Sequence, residues 1–247
     1  MPVLMTLLSV VLVSLISFIG ILTLSFSQHT LKRILTILVS ISAGTLIGDV
    51  FLHLLPESVE NEWAWYAVIA GMLVFFVFEK FIHWHHRHPT KEHAHVGHHP
   101  SHVGFMNIAG DALHNLTDGL IIAGSYFVSV PVGIATTIAV VLHEIPQEIA
   151  DFGVLIYSGM SRTRAILMNF LSATFAIVGA VIGLVIGAKA DFFVAFIIPF
   201  TAGGFLYIAG ANLIPELHKE TRLRPSLFQL TGLIAGIGIM IALLSLE

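Results

Sequence analysis

Residues 3–20 read VLMTLLSVVLVSLISFIG, a run without a single charge. A membrane-spanning helix needs about 20 apolar residues to cross the hydrocarbon, so this run reads as a span. Because no basic region precedes it, a span is expected rather than a cleaved signal. Residues 227–244, LFQLTGLIAGIGIMIALL, repeat the pattern. Six further apolar segments lie between, giving eight over roughly 3–25, 34–56, 64–82, 104–126, 131–157, 163–187, 192–217 and 226–246. The runs are long and continuous, whereas a membrane barrel alternates polarity in segments of about 10 residues. The fold class expected is therefore all-α: a polytopic bundle of eight transmembrane helices forming one domain over 1–247.

Composition agrees. Of 247 residues, 56% are hydrophobic and 11% charged, with a mean hydropathy of +0.92. Soluble domains are roughly 45–50% apolar and about 25% charged. A water-soluble globular enzyme and a disordered chain are both excluded. The chain has no Cys, which removes disulfides, iron–sulfur clusters, Cys-zinc sites and thiol chemistry.

The 11 basic residues orient the spans. With both termini outside, one side receives Lys32, Arg33, Lys80, Arg87, Lys91, Arg162, Arg164, Lys219, Arg222 and Arg224, and the other only Lys189. By the positive-inside rule the richer side is cytoplasmic. Gly179, Gly183 and Gly187 in segment 6, and Gly232 and Gly236 in segment 8, repeat at helical spacing and read as close helix packing.

Ionisable residues inside spans are costly and functional by default. Segment 4 contains DALHNLTDG, with Asp111, His114, Asn115 and Asp118 on one helical stripe. Segment 5 contains HEIPQEIAD, whose His143, Glu144, Gln147, Glu148 and Asp151 share a face about 140° wide at ~100° per residue. Five carboxylates in one low-dielectric pocket repel one another, and a divalent cation relieves that repulsion. Imidazole with carboxylate and amide oxygen suits zinc and other first-row divalent metals. A polar hydrogen-bond network that only fixes helix packing is the competing reading. Pro146 removes a backbone donor in segment 5 and predicts a kink.

Segment 2 ends in HLLPE, with Asp49, His53 and Glu57 at i, i+4 and i+8. Segment 7 ends in NLIPE, with Asn212 and Glu216 in the places of His53 and Glu57. HNLTDG and HEIPQE likewise echo each other across oppositely directed spans. Paired similarity of opposite orientation marks inverted-repeat transporters. Asp49 and His53 are read as outward-side pathway residues, and Asn212 and Glu216 as inward-side ones. Residues 83–102, HWHHRHPTKEHAHVGHHPSH, hold His83, His85, His86, His88, His93, His95, His98, His99 and His102. This polar loop within the domain falls on the cytoplasmic side and lacks the apolar content to fold alone. Its imidazoles can hold metal weakly, and a solvated linker is the plainer alternative.

HNLTDG, HEIPQEIAD, GDVFLHLLPE (48–57) and the His-rich loop together resemble the ZIP family of zinc transporters, over nearly the whole chain. The branch resembled has His-Glu-x-Pro-His-Glu-x-Gly-Asp in segment 5. The resemblance implies eight helices with both ends outside and metal moving to the cytoplasm. Carried over by position, it makes His114, Asn115, Asp118, His143, Glu144 and Gln147 metal ligands; Asp111, Glu148 and Asp151, which share their helical faces, are read as pathway residues. Three departures stand out. Gln147 replaces the branch's His, Ala150 replaces its Gly, and segment 6 has no Asp or Glu, a gapless register putting Ala176 at the expected carboxylate. One well-formed metal site is therefore expected, with a second weak or absent.

The function expected is a divalent metal permease importing zinc, with Fe2+, Mn2+ or Cd2+ as other candidate substrates. Its partners are the metal ions and the lipid bilayer of a cell membrane, a homodimer being an allowed assembly and no nucleic acid being expected. The absence of a Walker-type phosphate loop argues against ATP hydrolysis. Two alternatives remain: an intramembrane zinc-dependent hydrolase, because HEIPQ is one residue short of HExxH, and a metal exporter or sensor.

Overall fold

The computed structural model describes residues 2–58, 61–86, 100–187 and 191–246. No strand occurs among them. Helix α1 (Pro2–Ile16) tightens into a 3₁₀ segment, Ser17–Ser25. Helix α2 (Gln28–Asp49) starts at Ser27, whose hydroxyl accepts from the Thr30 N–H at 3.3 Å, and runs into a π-helical turn, Val50–Leu54. Helices α3 (Ala64–His86), α4 (Pro100–Val128) and α5 (Val130–Tyr157) follow. Ser129 separates the last two and caps Val132 N at 3.2 Å. The sixth segment is two helices, α6 (Arg162–Ala173) and α7 (Phe175–Gly187), meeting at Thr174. The seventh is α8 (Asp191–Tyr207), a π turn (Ile208–Leu213) and α9 (Ile214–His218). The last is α10 (Leu223–Leu243).

Six of these rods are long and apolar enough to cross a bilayer: 2–21, 29–54, 130–156, 162–187, 195–218 and 223–243. A shorter apolar stretch, Ala64–Val77, belongs to α3. The 29-residue α4 falls outside this set, as its polar stripe requires. It is enclosed instead, packing against α1, α3, α5, α6, α7 and α8. The apolar exterior comes from Leu4, Leu8, Leu12 and Leu15 of α1, Leu73 and Val77 of α3, Val181 and Val185 of α7, and Leu227, Leu230 and Ile234 of α10. A chain with this pattern is a multi-pass integral membrane protein.

The three most extensive helix pairs, α4–α7, α2–α10 and α3–α8, share one device. Each has a glycine on both sides, pressed against the partner's backbone. Gly119 faces the Ala176 carbonyl and Gly179 the Leu116 carbonyl. Gly44 faces Leu233 and Gly236 faces Ile41, while Gly71 faces Phe200 and Gly203 faces Val68. With lipid as solvent, close van der Waals approach is the main attraction left between helices. The sequence stripes in segments 6 and 8 are two halves of this pattern.

The two echoed motifs also share a backbone feature. Leu55 N bonds Val50 O at 2.9 Å, and Ile214 N bonds Ala209 O, both one residue longer than an α-helical bond. Each π turn directly precedes the proline of its motif, Pro56 or Pro215. Such turns often mark functional positions. In α5, Pro146 leaves the Leu142 carbonyl without its intrahelical donor. Ser42 of α2 supplies one: its hydroxyl reaches both Leu142 O and its own helix's Leu38 O. Polar side chains on neighbouring helices are what make intramembrane proline tolerable.

Candidate metal centre

His114 and Asp118 lie one turn apart on α4, and His143 and Glu144 are adjacent on α5. The α4–α5 packing turns them toward one another. His114 Nε2 stands 3.2 Å from His143 Nε2, 3.4 Å from Glu144 Oε1 and 3.8 Å from Asp118 Oδ2. His143 Nε2 stands 3.3 Å from Asp118 Oδ2 and 3.7 Å from Glu144 Oε1. All four ligand atoms fall within 4.8 Å of one another. Zinc bonds of about 2.0–2.2 Å in a tetrahedron place neighbouring ligands roughly 3.3–3.6 Å apart. The measured distances bracket that spacing.

The side chains are aimed as ligands. His143 Nδ1 lies 3.0 Å from the Ala139 carbonyl, which can only accept. The ring therefore carries its proton on Nδ1 and presents the Nε2 lone pair to the centre, the usual orientation of a metal-binding imidazole. Both oxygens of Asp118 and of Glu144 are buried and accept no hydrogen bond. Buried acceptors without donors are costly, and a cation satisfies them. The donor set of two imidazoles and two carboxylates thus fits a divalent ion as substrate. His143, Asp118 and Glu144 are essentially inaccessible, while the His114 side chain is 17% exposed. It borders a cavity of about 150 Å³ that Phe75, Glu79, Gln147, Tyr207 and Asn212 also line.

The other two ligands expected from the family pattern sit differently. Asn115 Nδ2 and Gln147 Nε2 both donate to Asp111 Oδ1, at 3.0 and 3.2 Å. Both amide nitrogens are thus engaged at a second group of acids, Asp111, Glu144 and Glu148, whose ligand oxygens also come within 4.8 Å, while Asn115 Oδ1 is buried and accepts nothing. Glu148 is held by Asn169 Nδ2 of α6, and Asp151 accepts from Asn107 Nδ2 at 3.0 Å. Ala176 packs under Gly119 and offers no ligand. The polar groups its rod brings to the acids are Ser172, beside Asp111, and Asn169, one and two turns earlier.

Asp49 and His53 are fully buried, and His53 Nε2 lies 3.2 Å from the Met240 carbonyl of α10. Glu57 is exposed just beyond the first π turn. Asn212, on the second π turn, lies beside Glu79 of α3 and donates to its Oε2 at 3.1 Å in the amide orientation that satisfies both ends. Glu216 is solvent-exposed and pairs with Lys219, a solvated contact of little energetic weight. Nearby, Arg222 holds the Glu220 carboxylate down to about 2 through hydrogen bonds. His88, His93, His95, His98 and His99 lie outside the described residues. His83, His85 and His86 belong to the last turns of α3, and His102 to the first turn of α4.

Sequence reasoning missed Glu79, Tyr207, Asn107, Asn169 and Ser172. Glu79 adjoins Lys80 near a span end and reads as solvated. Asn169 left a faint signal, an amide inside an apolar segment.

The ZIP Zinc transporter family model matches residues 3–104 and 98–244, nearly the entire chain. Zinc transporter ZIP13 of Danio rerio is 33% identical over 267 residues, covering 85% of this chain and 75% of that protein. The Zinc transporter ZIP13 homolog of Drosophila melanogaster is 32% identical over 275 residues, covering 85% and 77%. Zinc transporter SLC39A7 of Mus musculus is 28% identical over 305 residues, covering 87% of this chain and 64% of that protein.

Proposed function

The chain belongs to the ZIP zinc transporter family, and we propose that it imports zinc into the cytoplasm through the centre between α4 and α5. The observation that carries this reading is the convergence of His114, Asp118, His143 and Glu144 at tetrahedral spacing, with unsatisfied buried oxygens. The basic residues support the orientation of the bundle. Ten of eleven fall on one side under an eight-span topology, and that side is cytoplasmic by the positive-inside rule.

In this reading zinc enters past Asp49 and His53, both buried where α2 runs into its π turn. Two neutral imidazoles and two carboxylates replace its water shell. The inward route follows the cavity beside His114, past Glu79 and Asn212, toward the face that carries the histidine-rich segment. Glu79, Tyr207 and Asn212 join α3 to α8 and its π turn, so loosening this contact widens the route. Glu216, solvated and paired with Lys219, takes only a peripheral part.

ZIP proteins form a transporter family, not an enzyme family, so the hydrolase alternative falls. Zinc uptake into proteoliposomes tests the proposal. The His114→Ala, His143→Ala double variant is expected to lose saturable uptake, and unchanged uptake would sink the site assignment. Inside-out vesicles separate import from export: accumulation inside them at equal zinc on both sides would favour an exporter.

A further inference from the structure

We infer that Glu79 of α3 is the latch of the inward end of the route, and that the transported ion itself releases it. The latch rests on the inward route running through the cavity beside His114. His114 and Glu79 line this one cavity of about 150 Å³, which has room for about five waters at roughly 30 Å³ each. A divalent ion leaving His114 therefore meets the Glu79 carboxylate within the same space.

Two donors hold Glu79, and both come from one short piece of segment 7. The Tyr207 hydroxyl donates to the carboxylate. The Asn212 amide donates to Oε2 at 3.1 Å and to Oε1 at 3.2 Å, and also to the Ala211 carbonyl at 3.2 Å. Tyr207 leads into the π turn Ile208–Leu213, and Asn212 lies within it. Pro215 has no N–H to offer the Ala211 carbonyl four residues earlier. One amide thus ties the proline-weakened backbone of segment 7 to a carboxylate of α3. The turn itself is loosely built: Ile214 N reaches back five residues to Ala209 O, and a Cβ at Gly210 would meet nothing within 4 Å. The clasp on Glu79 spans the point where this segment can bend.

The clasp is sensitive to charge. Tyr207 and Asn212 are neutral donors, whereas carboxylate oxygens are ordinary zinc ligands. Hydrogen bonds from neutral groups are weaker than contacts with a full positive charge, so an ion that reaches the cavity outcompetes them. Asn212 engages both oxygens, and an oxygen that turns to the ion gives up part of that hold. With Asn212 released, the turn hinges at Pro215 and opens the cavity inward. Once the ion has left, Glu79 recovers its donors and the turn locks again. Opening is thereby coupled to the presence of cargo.

Hydrogen–deuterium exchange of the full chain in nanodiscs tests this, with zinc alone as the probe. Metal binding that merely orders the bundle slows exchange. The latch requires the opposite in one place: zinc should speed amide exchange of residues 208–214 by about tenfold or more, the effect of losing one hydrogen bond to a charged group, while α10 is unchanged. The Tyr207→Phe, Asn212→Ala variant should exchange fast in this stretch without zinc. Tyr207→Phe keeps the ring that packs edge-on against Phe76 at 6.2 Å, so it removes the hydroxyl alone. Glu79→Gln should lose the zinc response although chelator competition shows zinc still bound. Exchange in residues 208–214 that zinc leaves unchanged or slows in the parent chain, or a Glu79→Gln variant that still responds, overturns the latch. So does faster exchange throughout the bundle in the double variant, which marks general loosening. Uptake into proteoliposomes judges the transport reading separately. A chain that takes up zinc without the local response keeps transport and loses the latch, and one that shows the response without uptake loses the route.

Discussion

Gly119 sits immediately after Asp118, and its missing side chain lets α4 lie against the backbone of α7. A Cβ at this position meets the Ala176 carbonyl oxygen and the Ala180 nitrogen. Both are backbone atoms and cannot rotate away. Gly119→Ala must therefore push α4 and α7 apart, by a shift on the order of 1 Å, the scale at which a misplaced group loses about 10²-fold in a positioned site. Gly153 of α5 has nothing within 4 Å of its would-be Cβ, so Gly153→Ala is the matched control. Each substitution gains about 0.8–1.0 kcal/mol of helix propensity, and this gain cancels between the two variants. The difference left is the overpacking cost, roughly 1–3 kcal/mol against Gly119→Ala. Zinc affinity should fall as well. Metal–ligand distances tolerate about ±0.2 Å, while the movement carries Asp118 and His114 relative to His143 on α5. Thermal unfolding of both variants in nanodiscs reads the first effect, and chelator competition for zinc reads the second, at tenfold or more. Equal stability and equal zinc affinity in the two variants would refute the claim that the glycine contact sets the geometry of the centre.

Other outcomes follow from the same structure. Ser42→Ala leaves the Leu142 carbonyl, freed by Pro146, without its donor from α2, and should cost about 1–3 kcal/mol in unfolding; no loss would mean water or a shifted bond replaces the hydroxyl. Glu79→Gln keeps the shape of the cavity wall but removes its charge beside Asn212 and Tyr207. Uptake should slow several-fold while equilibrium zinc binding to the chain changes little, and an equal fall in both would place Glu79 in the centre itself. Zinc binding should weaken on acidification from pH 7 to 5.5. The ligands bind metal only in their deprotonated forms, so protons compete with zinc for the centre. Binding that holds or strengthens over this range would exclude imidazole ligation.

Most of the local design is legible in single segments. A helix places residues at i, i+3, i+4 and i+7 on one stripe whatever surrounds it, so Asp111, His114, Asn115 and Asp118 could be grouped without coordinates. The echo of HLLPE and NLIPE is likewise visible in the sequence, and both motifs carry a π turn before the proline. Gln147 shows where such reasoning stops. Its spacing from His143 suits a ligand to the same ion, and only the structure shows that its amide nitrogen donates to the Asp111 oxygen that Asn115 also engages. Ala176 shows the same limit across helices. A gapless register put it at a ligand position, but the reciprocal contacts of Gly119 and Gly179 place it in the α4–α7 seam. Asn169 reaches the acids from two turns away.

The amino-acid sequence by itself determined that lipid is the solvent, that basic residues gather on one side under eight spans, and that carboxylates and imidazoles share stripes on two helices. These are properties of hydropathy, charge and helical periodicity, read along the chain without any contact between segments. Only the tertiary structure decided which imidazole meets which carboxylate, that Asn169 and Glu79 join the polar network, and that the acids divide into two groups sharing Glu144. Those outcomes depend on the register between helices. In a bundle without a strong hydrophobic force between its members, that register is set by which backbones can touch, and glycines on both partners select it.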